Sequence, residues 1–108
     1  MKITIDIPNP HEMSARANSF KGSPLFVKAV EETLKYNIKR IKESSSEGKR
    51  YIWILRSSVV SSVDDYYKEL NVDRTVFNEA VVKEVIDTLV SAGYATGERR
   101  PGCISLVW

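Results

Sequence analysis

The residues able to do chemistry in this chain are few and far apart. His11 is the one histidine and Cys103 the one cysteine, so a Ser/His/Asp triad, a Cys/His dyad or a zinc knuckle has no complete set of partners. His11 beside Glu12 is a pair of general acid/base type, but next to Pro8 and Pro10 it reads as a solvated loop side chain. Asp64 and Asp65 offer neighbouring carboxylates to a hard cation. Adjacent side chains diverge on a helix, however, and acids at a helix start already have a reason in the helix dipole. Glycines stand at 22, 48, 93, 97 and 102, too scattered to cradle a phosphate. No catalytic residue, metal or cofactor is therefore expected, and the chain is read as a binding protein, not an enzyme.

Charge and aromatic surface remain. Between Lys35 and Arg56 the cations Lys35, Lys39, Arg40, Lys42, Lys49, Arg50 and Arg56 face only Glu43 and Glu47, in a chain whose net charge is +2. The rest of the chain is consequently net acidic. Arg99 and Arg100 precede Pro101-Gly102, and adjacent arginines at a rigid turn meet carboxylate or phosphate at little ordering cost. Lys35, Lys39, Arg40, Lys42, Lys49, Arg50, Arg99 and Arg100 are accordingly the expected partner-binding residues. Tyr51, Trp53, Tyr66, Tyr67, Tyr94 and Trp108 have the chemistry to stack on bases, but in so small a chain most are expected in the core, with Trp108 covered by strand pairing.

A length of 108 residues, 43% apolar and 28% charged, matches one folded α+β domain over 1–108, with an N-terminal strand and long loop over 1–22 and a helix/sheet core over 23–108. No apolar run approaches the roughly 18–20 residues of a membrane span, and the N-terminus alternates polar and apolar residues where a signal peptide would be continuously apolar. A lone cysteine permits no internal disulfide. A cytoplasmic protein without membrane contact is expected.

The elements follow from periodicity. Ile3, Ile5 and Ile7 alternate until Pro8, predicting an edge strand over 2–7, and 8–22 reads as a loop pinned by Met13 and Phe20. Ser23-Pro24 starts a helix carrying Phe26, Val30, Leu34, Ile38 and Ile41 at helical spacing. Residues 49–55 form a central strand, and Ser62 with Asp65 resembles a capping box for a short helix. Thr75 caps a longer helix to about Ala92 with Val82, Val85, Ile86 and Leu89 inward, and Gly93 ends it. Pro101-Gly102 turns a closing hairpin. The predicted fold is α+β, a small antiparallel sheet packed on helices in the order β-α-β-α-α-β-β. Its expected core is continuous: Phe26, Val30, Leu34, Ile38, Ile52, Ile54, Val82, Val85, Ile86, Leu89, Ile104 and Leu106.

Two resemblances follow from quoted segments. Tyr66 to Thr75 resembles the helix-turn segment of winged-helix DNA-binding regulators, and Leu89 to Tyr94 followed by Arg99 to Gly102 resembles a recognition-helix end running into a wing. That resemblance implies Arg74, Thr75 and Asn78 in the major groove and Arg99 and Arg100 on phosphate. From Arg74 to Ala92, two cations face three anions, a balance that opposes a polyanion. The segments 37–41, 48–54, 89–94 and 104–108 are similar to small α+β proteins encoded by bacteriophages. That similarity implies an accessory factor that binds, and in some cases inhibits, a host or phage protein, with function added in segments 8–22 and 57–74. Binding of a host or phage protein is the preferred expectation, and winged-helix DNA binding the alternative.

Overall fold

The structure, a computed structural model, describes residues 6–108. The predicted strand over 2–7 lies mostly outside the described residues; Asp6 and Ile7 are in no strand, and Ile7 is 88% exposed. The segment expected to be a loop is instead helical: α1 spans Pro10–Asn18 and a 3₁₀ turn spans Ser19–Gly22. Asn9 accepts a hydrogen bond from the His11 amide at 2.8 Å, and Pro10 occupies the first turn, where its missing N–H costs nothing. The start signal was present, but α1 buries no residue and so has no apolar stripe to betray it. Phe20, in the following turn, is buried and anchors the segment.

Helix α2, Pro24–Ser46, begins as expected, with the Ser23 hydroxyl accepting from the Leu25 amide. Its inward face is rotated from the expected one. Phe26, Ala29, Thr33, Asn37, Ile41 and Ser44 are buried, whereas Ile38, placed in the expected core, is 37% exposed. The cause is the neighbouring strand β1, Tyr51–Leu55. Its outer-edge carbonyls are taken by Ser44 Oγ on Tyr51 at 2.8 Å, by Arg40 on Trp53 at 2.6 Å and by the Ser58 amide on Leu55 at 3.4 Å. Polar side chains of α2 thus cover an edge that would otherwise template another chain, and Ile38 turns outward with the same helical register.

After β1 come a 3₁₀ turn at Ser61–Val63, a short α3 at Tyr66–Glu69 and the long α4 at Arg74–Ser91. The cap of α4 is Asp73, not Thr75: its carboxylate accepts from the Val76 amide at 3.0 Å. Nor does the Ser62/Asp65 capping box form. Asp65 makes no side-chain cap bond, and Asp64 pairs with Arg74 at 2.7 Å. Asp73→Ala should lower stability by about 1 kcal/mol; urea unfolding should show a lower midpoint with an unchanged slope.

The sheet closes with β2, Ala95–Arg100, and β3, Cys103–Val107, in the order β1-β3-β2, antiparallel throughout. Gly93 and Gly102 have φ of 111° and 77°, the left-handed region that their turns require. Gly97 sits in an irregularity of β2 for a different reason. A Cβ there would lie 2.7 Å from Ser105 Oγ and 3.1 Å from a Val107 methyl, so any larger residue would force those side chains to shift.

On the sheet's inner face Ile52 pairs with Leu106 and Ile54 with Ile104, and they pack with Ile41, Val82, Val85 and Leu89. A second cluster, Phe20, Phe26, Ala29, Val63, Phe77 and Val81, lies beside it, with Val30 and Val59 touching both. The expected continuous core is therefore two clusters joined by a seam. Apart from Ile38, its expected members are buried or half-buried. No helix among the described residues is long and apolar enough to cross a membrane.

Candidate functional site

The expected basic strip is divided by the fold. Arg40 points inward to the Trp53 carbonyl and to Asn37 Oδ1 at 2.9 Å, which makes it a brace for β1 and not a free partner contact. Lys35 pairs with Glu32 and Lys49 with Glu47. Lys39, Lys42 and Arg50 are exposed and make no ion pair among the described residues.

Arg99 and Arg100, expected to act together, are separated because neighbouring strand residues point to opposite faces. Arg99 lies on the α4 side of the sheet, in a groove it shares with Arg56. Arg100 lies on the outer face, its guanidinium 4.6 Å from the Trp53 ring centre and its Nε 3.0 Å from Glu98. The hydrogen bond to Glu98, then its charge, raise the Arg100 pKa above the usual arginine value. Arg74 is raised in the same way by Asp64. Both are permanently charged, and both are already engaged.

The residues implied by the DNA-binding resemblance fare unequally. Thr75 is exposed at the start of α4. Arg74 is held by Asp64 and lies over the Tyr67 ring at 5.9 Å. Asn78 is only 3% exposed and donates to the Ser57 carbonyl at 3.1 Å. That corrects its assignment to base reading: a side chain enclosed between α4 and the segment after β1 has no path to a groove. It has a structural task instead, tying the loop that follows β1 to the helix.

What the sequence did not reveal is the groove between α4 and β2. Its volume is about 550 Å³; Val82, Ile86 and Ile104 line its base, with Val90, Arg56 and Arg99 around them. Val90 is 43% exposed. On the helix side stand Glu79 and the pair Lys83–Asp87, 3.0 Å apart. Helical spacing placed the inward valines, but the groove depends on β2 and α4 meeting across a loop, and no local pattern encodes that angle. His11 is exposed on α1, and Cys103 is a half-buried free thiol at the hairpin turn. Compared with family models, with curated proteins and with solved structures, the chain matches none.

Proposed function

We propose that this chain is a non-enzymatic accessory protein that binds another protein, using a winged-helix-like frame whose reading helix has been given a protein-facing surface. The frame is supported by the order α2-β1-α3-α4-β2-β3 and the strand order β1-β3-β2, a helix pair followed by a hairpin in the wing position. The observation that carries the protein-binding reading is the solvent face of α4. It presents Val76 and Val90 together with Glu79, Glu84 and Asp87 against Lys83 and an Arg74 already paired with Asp64. Acids repel phosphate and exposed valines have nothing to gain from it, whereas apolar groups rimmed by mixed charge suit a protein partner. In the phage setting implied by the sequence similarity, that partner is a host or phage protein.

The test is capture from a bacterial lysate, with and without nuclease, by the wild type and by Val90→Glu. A protein retained after nuclease and lost with Val90→Glu, at an unchanged melting temperature, is the expected result. Tight duplex binding with a steep salt dependence, and no nuclease-resistant partner, would reject it in favour of DNA recognition.

A further inference from the structure

The sheet has a second face. Every cluster that buries the sheet uses Ile52, Ile54, Ile104 and Leu106, all on the side of α2 and α4. The alternate residues face away: Tyr51, Trp53 and Leu55 of β1, paired with Val107, Ser105 and Cys103 of β3. Tyr51 is 46% and Leu55 59% exposed, although tyrosine and tryptophan were expected mostly inside. A shallow depression on this face is lined by Arg50, Tyr51, Trp53, Glu98, Arg100 and Val107 among others.

We propose that this outer face binds single-stranded nucleic acid by stacking its bases on Tyr51 and on the Arg100 guanidinium that covers Trp53. Size argues first. Three strands about 4.8 Å apart and five residues long at about 3.3 Å each give a face of about 14 by 17 Å. That is several-fold below the roughly 800 Å² per partner of a stable protein interface, so a second copy seated there would bury too little. It is the size of the two or three bases that aromatic residues on an open sheet hold in other folds.

Charge argues second. Of the cations between Lys35 and Arg56, Arg50 lines this depression together with Arg100, whereas Arg40 is turned to β1 and Arg56 lies in the α4 groove. Arg50 is exposed and makes no ion pair among the described residues. Aromatic planes interleaved with cations are what a strand of unpaired bases on a phosphate backbone requires. Arg100 does not block the face. Its guanidinium is already stacked on Trp53 and steered by two hydrogen bonds to Glu98, so a base can stack on the guanidinium plane and extend the column. Tyr36, half exposed beneath the Arg40 guanidinium at 5.9 Å, continues the aromatic row beside β1.

This surface is separate from the α4 groove and does not depend on it: Arg99 serves one side of the hairpin and Arg100 the other. The experiment uses the full chain and a fluorescein-labelled oligothymidylate of about twelve nucleotides, followed by anisotropy and by quenching of tryptophan emission. Expected are binding that weakens as salt is raised, a lower affinity for a duplex of the same length, and losses of about tenfold for Tyr51→Ala and for Arg100→Glu. Val90→Glu should bind like the wild type. Because Tyr51 is exposed, its replacement should leave the melting temperature unchanged, and Tyr51→Phe should restore binding. Absence of quenching up to about 100 μM protein, equal affinity in all variants, or preference for duplex would overturn the proposal. So would loss of lysate protein capture in Tyr51→Ala, which would assign the face to a protein.

Discussion

Phe77→Ala is expected to lower stability by about 3–5 kcal/mol, the usual range for truncating a buried phenylalanine. Phe77 is fully buried, and its ring centre lies 6.0 Å from those of both Phe20 and Phe26, which are themselves 5.6 Å apart and edge to face. The three rings come from the turn after α1, from α2 and from α4, so one truncation loosens three elements. Edge-to-face pairing adds to the area that each ring buries. Urea unfolding measures the loss directly. A second readout separates the local from the global effect: cleavage by trypsin after Arg16 and Lys21 should accelerate in Phe77→Ala and also in Phe20→Ala. In the latter the sheet cluster around Ile54 and Leu106 remains packed. A loss below about 1 kcal/mol in Phe77→Ala would mean that the phenylalanine cluster is not a core.

Asn78→Asp should be comparably damaging at neutral pH, and its damage should depend on pH. The substitution places a carboxylate where exposure is 3% and where the neighbouring group is the Ser57 carbonyl, an acceptor that cannot donate to it. Breaking a buried polar arrangement by leaving an uncompensated charge costs about 3–5 kcal/mol. Burial pushes the introduced carboxyl above its ordinary value of about 3.9. Its folded pKa then exceeds its unfolded one, so the native state binds more protons. The defect is smallest below the unfolded pKa and grows as pH rises through the folded one. Unfolding measured at pH 4 and pH 7 should therefore diverge for Asn78→Asp relative to wild type. For Asn78→Ala the difference between the two pH values should match that of the wild type, with a loss of about 1 kcal/mol from the missing hydrogen bond. A pH-independent loss in Asn78→Asp would place the side chain in solvent and return it to the surface of α4.

These two residues, with Val90 and Tyr51, connect fold to function. Phe77 and Asn78 point inward and hold α4 against α2 and against the segment after β1; Val90 is carried on the same helix toward β2. A helix fixed on one side by packing presents a rigid surface on the other, and rigid surfaces bind with less ordering cost. The hairpin divides its arginines in the same spirit. Ser105, opposite Trp53 and 5% exposed, and Gly97 press the two strands closely together beneath the Arg100 stack.

Much was legible in the chain itself, because it is encoded locally. Ser23-Pro24 and Gly93 mark helix ends by hydrogen-bond capacity and backbone freedom, and the alternation of Ile104 and Leu106 marks which side of β3 is buried. The absence of any clustered His/Cys chemistry was equally plain from composition. The tertiary structure decided what depends on partners distant in sequence. Thr33, Asn37 and Ser44 entered the buried face of α2 and Ile38 left it. Hydrogen bonds from Arg40 and Ser44 to β1 carbonyls outweigh one isoleucine, and no helical periodicity contains that strand. Asn78 looked like a reader of bases until the loop at Ser57 closed over it. α1 passed for a loop because a helix with no buried side leaves no apolar period to detect. Arg99 and Arg100 are neighbours in sequence and opposites in space, since in a strand each step of one residue changes the face.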